Sequence, residues 1–111
     1  MAQLNSFRDL ALAQAGAVEQ AHFGSPSFRV SGKIFAQLSN GDEVGLVKLS
    51  LGTQEWLLAS HPALCWSDPQ WGRHGWTHVR WAAVEAALLS DLIEQSWEAA
   101  VRRKSPRGRT R

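Results

Sequence analysis

A single cysteine, Cys65, is too few for a disulfide within the chain. No cross-link is expected, and the reducing environment of the cytoplasm is the expected location. Flanked by Leu64 and Trp66, Cys65 reads as a small buried hydrophobe, not a nucleophile. No apolar run approaches the ~20 residues of a membrane span. The stretch from Met1 to Asp9 lacks the basic start and apolar segment of a secretion signal. There is no glycine-rich phosphate loop, no GxSxG and no CxxC, so no motif for nucleotide, acyl-transfer or dithiol chemistry is present. Internal repeats are absent as well. Residues 102–111 hold no acid but six of the twelve cations: Arg102, Arg103, Lys104, Arg107, Arg109 and Arg111. The remaining residues therefore carry six cations against ten acids, a net charge of −4. The high isoelectric point, about 9.2, belongs to the tail and not to the folded body, so overall charge by itself does not argue for nucleic-acid binding.

What is present fits one domain over residues 1–101, followed by a basic tail over 102–111 expected to be disordered. The chain has 111 residues, of which 44% are hydrophobic, enough for a single core. Ser6-Phe7-Arg8-Asp9 has the form of a capping box and opens a helix over about 6–15 that Gly16 stops. Phe23-Gly24-Ser25-Pro26 is a turn, and Ser27 to Val30 alternates as a half-buried strand. Ser31-Gly32 turns the chain into Lys33 to Leu38, with Ile34, Ala36 and Leu38 on one face and Lys33, Phe35 and Gln37 on the other. Asn40-Gly41 is the strongest hairpin signal and leads to a strand from Val44 to Ser50. Thr53 is placed to cap a short helix from Gln54 to Ser60, which Pro62 ends. Residues 61–74 form an irregular loop, and Trp76 to Trp81 a last strand. Over 82–101, Val84, Leu88, Leu89, Leu92, Ile93, Trp97 and Ala100 recur at the period of a long helix, with Glu85, Asp91, Glu94 and Glu98 toward water. Consecutive hairpins flanked by helices predict an α+β two-layer sandwich, an antiparallel sheet with helices on one face.

Two blocks carry a family resemblance. Ala21-His22-Phe23-Gly24-Ser25-Pro26-Ser27-Phe28-Arg29-Val30, continuing into Gly32-Lys33-Ile34-Phe35-Ala36, is similar to the opening of MmcQ/YjbR-type bacterial proteins. Trp71-Gly72-Arg73-His74-Gly75-Trp76-Thr77-His78-Val79-Arg80 resembles that family's second block. The resemblance spans roughly residues 6–101. It implies a frataxin-like (CyaY-like) fold and a DNA-binding role through a double-wing motif. One departure is Ala15-Gly16, where the family usually has Pro-Gly.

The last strand defines a candidate surface. Thr77, Val79 and Trp81 share one parity and lead into the long helix, so they are assigned to the core; Trp76, His78 and Arg80 then point away from the helices. The same alternation adds Arg29, Lys33 and Lys48, and the loop adds Arg73 and His74. Cations meet phosphates and an indole stacks on a base, so these eight residues form the candidate nucleic-acid surface. Trp56, Trp66, Trp71 and Trp97 are assigned to the core. The tail gives a second possible contact with polyanions, through counterion release. His74 and His78 lie ~13 Å apart along a strand and cannot share one metal ion. Iron binding of the frataxin kind needs clustered carboxylates, and the first helix offers Asp9 alone. No metal and no cofactor is expected, and no nucleophile–base pair follows from spacing. The leading reading is a non-enzymatic binding module for DNA. The alternative is a small-ligand or protein-interaction domain with a pocket between the 61–74 loop and the sheet.

Overall fold

In a computed structural model of the chain, residues 6–102 are described, except 40 and 42. Of the expected tail, 102–111, Arg102 is instead the last residue of a helix, and residues 103–111 lie outside the described residues. Helix α1 (Phe7–Leu12) is capped by Ser6, whose side chain accepts from the Asp9 N–H. Four strands follow: β1 (Val18–His22), β2 (Ser25–Val30), β3 (Lys33–Ser39) and β4 (Val44–Lys48). Helix α2 (Leu51–Ser60), the two-residue strand β5 (Cys65–Trp66), strand β6 (Trp76–Val79) and helix α3 (Ala86–Arg102) complete the order. The sheet runs β1-β2-β3-β4-β6-β5 with every neighbouring pair antiparallel.

The helices cover one face. Phe28, Ala36, Val47 and Thr77 stand in one row across four strands, and all are fully buried. Phe7 of α1 meets Phe28 at 6.1 Å between ring centroids. The apolar stripe of α3 supplies Leu89, Leu92, Ile93 and Ala100 to the same core, each large side chain contributing ~1.5–3 kcal/mol by leaving water. The acids Glu85, Asp91, Glu94 and Glu98 face solvent. The α+β two-layer sandwich is therefore the fold, with the opposite sheet face left to Ser27, Gln37, Leu46, His78 and Trp66 in a second row.

Several local expectations need correction. Helix α1 is shorter than 6–15, ending at Leu12. The cap of α2 is Ser50, whose Oγ accepts from the Thr53 N–H, so Thr53 sits inside the helix. The last strand stops at Val79, and a short 3₁₀ turn, Trp81–Ala83, precedes α3, which starts at Ala86 instead of 82. Strand β1 was not anticipated: as an exposed edge it carries no alternation of burial. In β3 the predicted faces break because Phe28 pairs with Ala36 but Arg29 pairs with Ile34. Phe35 is the extra residue of a β-bulge, which sends Ile34 to the open face and Phe35 into the core.

The tryptophan assignments also change. Trp56, Trp66 and Trp71 are 52%, 37% and 54% exposed, not core. Helix α2 buries only Gln54 and Leu57, which leaves Trp56 on its outer side. Trp97 is half-buried, and its Nε1 donates to Ala15 O at 2.9 Å, tying α3 to the end of the α1 segment. Burial pushes the Cys65 thiol up to about 11, so at neutral pH it is a protonated side chain under the β5 edge. No helix among the described residues is long and apolar enough to cross a membrane.

Candidate ligand site

The open face carries a cleft of about 550 Å³ between the sheet and the segment that follows β5. Its floor comes from Ile34 and Gln37 of β3, Leu46 of β4 and His78 of β6. Trp71, Asp68 and Trp76 rise on one side, and His22, Phe23 and Ser25 of the β1–β2 hairpin on the other. The volume falls within the roughly 300–1,000 Å³ usual for ligand pockets.

Strand parity delivers two of these lining residues. Thr77 and Val79 are fully buried among the helices, so Trp76 and His78 emerge half-buried on the opposite side. The His78 ring stacks on Trp66 across the β5–β6 pair at 5.3 Å and 4°. Its Nδ1 is buried with no hydrogen-bond partner among the described residues. The Arg80 guanidinium lies over the same indole at 5.2 Å, a cation–π contact worth ~0.5–1 kcal/mol at an exposed site.

The loop that supplies Trp71 is held by polar groups and close approaches. Asp68 Oδ1 accepts from the N–H groups of Gln70 and Trp71 at 2.9 and 2.7 Å, forming a tight Asx-type turn. Gly72 begins a 3₁₀ turn, Gly72–His74, and a side chain there would press on Ser67 Cβ at 2.8 Å. Gly75 closes the turn with φ of 98° and lies so close to Leu49 O that no Cβ fits. The two glycines of the Trp71–Trp76 block thus shape the backbone. Behind them, buried Gln54 donates from Nε2 to Gly72 O (3.0 Å), Trp76 O (3.3 Å) and Thr77 Oγ1 (3.1 Å), and Thr77 Oγ1 donates to Gly75 O. Gly72 O keeps a second donor in the Gly75 N–H. Gln54→Ala is therefore expected to cost only about 1–2 kcal/mol, read as a lower urea midpoint, while broadening the Trp71 and Trp76 indole NMR signals. Unchanged indole signals would mean that the clamp does not hold this wall.

Of the eight residues selected from sequence, Trp76 and His78 line the cleft. Arg29 sits beside it, its Nη2 3.5 Å from His22 Nδ1. Arg80 lies beyond the strand on Trp66, and Arg73 and His74 are exposed on the 3₁₀ turn. Lys33 and Lys48 border a separate, smaller cavity of about 40 Å³ with Ser96 and Ala100, which meets the cleft only at Ile34 and Trp76. The eight do not form one continuous cationic face. His22, Phe23, Gln37, Leu46, Asp68 and Trp71 were not selected. The turn at Phe23-Gly24 was legible, but nothing local told that it reaches toward β6. No group of three or more His, Cys, Asp or Glu able to hold a metal occurs among the described residues.

Among solved structures, the chain is similar to the crystal structure of Deinococcus radiodurans protein DR2400, whose domain is described as DUF419. The TM-score is 0.79 at 17% sequence identity, covering 91% of this chain and 80% of that one. At that identity the likeness concerns the fold. No curated protein matches the chain. The YjbR family model matches residues 12–99, a stretch that runs from the end of α1 through the cleft-forming strands to the last turns of α3, and the chain belongs to the YjbR family.

Proposed function

We propose that this chain is a non-enzymatic binding module and that the cleft on the open sheet face is its ligand site. The observation that carries this reading is the convergence of Trp71, Trp76, His78, His22 and Phe23 around one concave volume on a face the helices leave bare. Such a surface combines aromatic and aliphatic side chains with polar groups, Gln37 and His78 among them, that can orient a guest, as small-molecule sites do. The one carboxylate among its described lining residues, Asp68, is engaged in holding its own turn. The cleft supports the small-ligand alternative more directly than the DNA reading, because the cations are dispersed around it.

The test uses the full chain and NMR, with nucleosides, indole derivatives and medium-chain fatty acids as probes. At least one probe class should shift the Trp71 and Trp76 indole signals together with the His78 ring, leaving Trp56, on the α2 side, unmoved. Equal shifts at all tryptophans, or none, would end the proposal.

DNA remains the second reading, supported by exposed Arg73 and Arg80 beside the exposed indoles of Trp66 and Trp71. Single-stranded oligonucleotide binding that weakens steeply between roughly 50 and 200 mM salt would support it. Persistence of that binding when the tail arginines are replaced by serine would assign it to the folded part. Binding that vanishes with them would assign it to the tail.

A further inference from the structure

We infer that the cleft takes a flat aromatic or heteroaromatic ring, and that Phe23 at the tip of the β1–β2 hairpin is the residue that selects it. This rests on the cleft being the ligand site.

Among the described residues, the turns at Phe23-Gly24 and Ser31-Gly32 have the same build but differ in their first residue. His22 pairs with Ser25 and Val30 with Lys33, so each turn has two residues. Both positions of each are left-handed: Phe23 at 54° and Gly24 at 83°, Ser31 at 53° and Gly32 at 80°. This turn suits Gly, Asn and Asp. A small polar residue fills the first slot in one turn, and a phenylalanine in the other. A bulky side chain with positive φ is strained, and it persists only where something offsets it. Packing within the chain does not, because Phe23 is 96% exposed while Phe7, Phe28 and Phe35 are sealed in the core.

Phe23 nevertheless has a ring contact within the hairpin. Its ring meets His22 edge-on at 4.6 Å and 62°, and Arg29 Nη2 lies 3.5 Å from His22 Nδ1. The phenyl group borders the same cleft as Trp71 and Trp76, which arrive from the β5–β6 side. An exposed ring in a strained slot, in edge contact with a histidine and bordering the same cleft as two indoles, presents π surface to whatever enters. Aromatic surfaces pair best with another ring, stacked or edge-on, and a rigid ring loses less freedom on binding than a flexible chain. Gln37, Ser25 and Ser39 border the same space with an amide and two hydroxyls, which suits a ring with hydrogen-bonding edges.

The experiment titrates the full chain with adenosine, benzamide and cyclohexanecarboxamide, followed by NMR and repeated on Phe23→Gly and Phe23→Trp. Benzamide and cyclohexanecarboxamide differ in flatness but share the amide. The planar probes should shift Trp71, Trp76 and His22, with cyclohexanecarboxamide binding on the order of tenfold more weakly. Phe23→Gly should weaken the planar probes by a similar factor while its unfolding midpoint stays level or rises, since glycine relieves the left-handed strain. Phe23→Trp should retain binding. Undiminished binding by Phe23→Gly, or equal binding of the two amides, would overturn the inference. If decanoate, added as a fourth probe, moves the cleft signals and no ring does, the cleft stands as a ligand site and this inference falls. If no probe moves them, both fall.

Discussion

Replacing Gly75 by alanine is expected to cost the folded state about 3 kcal/mol or more, the sum of left-handed strain and a steric clash. Both parts are visible. At a φ of 98° an L side chain is strained, and the added Cβ would collide with Leu49 O, a backbone atom that cannot turn away. Moving Leu49 would break its own hydrogen bond, in which its N–H donates to Gly75 O at 2.9 Å. Gly32 separates the two causes. It has φ of 80° but nothing within 4 Å of its missing Cβ, so Gly32→Ala should show strain alone, about 1–2 kcal/mol. Urea unfolding of both variants checks the pair. Equal midpoints would show that the Leu49 contact adds nothing. Because Gly75 sets the angle between the Trp71 loop and β6, any Gly75→Ala protein that folds should also show displaced Trp71 and Trp76 indole signals.

The second large effect is expected at Ser96, a polar residue on the buried side of α3. Its Oγ accepts from the Lys48 N–H at 2.8 Å and donates to Phe35 O. It is 1% exposed, so water cannot replace it. The reason for a hydroxyl there is the bulge: Phe35 is the unpaired residue of β3, and its carbonyl needs a donor from outside the ladder. Ser96→Ala leaves one donor and one acceptor unsatisfied, at ~1–3 kcal/mol each, so a loss of about 2–4 kcal/mol is expected. Glu94→Ala on the exposed side of the same helix should stay within about 0.5 kcal/mol. A Ser96→Ala midpoint equal to that of Glu94→Ala would mean that the sheet relaxes to pair these groups without the serine.

The same residues mark how far the chain could be read before folding. The α3 stripe, the hairpin turn at Ser31-Gly32 and the parity of Trp76 and His78 are local properties; the Asn40-Gly41 signal falls partly outside the described residues. They depend on periods of 3.6 or 2 and on residues tolerant of positive φ, so they are written in short stretches of sequence. Strand β1 escaped because its five residues are largely exposed and have no buried alternation to display. Strand β5 is two residues long and forms only because β6 is there to pair with it. The bulge at Phe35 depends on which β2 residue faces it, and the need for a hydroxyl at Ser96 depends on the bulge. The candidate site divides in the same way. Trp76 and His78 followed from alternation, whereas Trp71, His22 and Phe23 belong to the cleft through the meeting of segments from the β1–β2 and β5–β6 ends of the sheet.

Local patterning, then, determined the layer architecture, the order of the main elements and the face on which Trp76 and His78 emerge, because each rests on interactions among near neighbours in the chain. Tertiary structure alone decided which tryptophans are buried, where β3 changes face and that an exposed hairpin tip borders the same cleft as an indole from a distant loop. Those outcomes depend on distances between residues far apart in sequence, which only the folded sheet brings together.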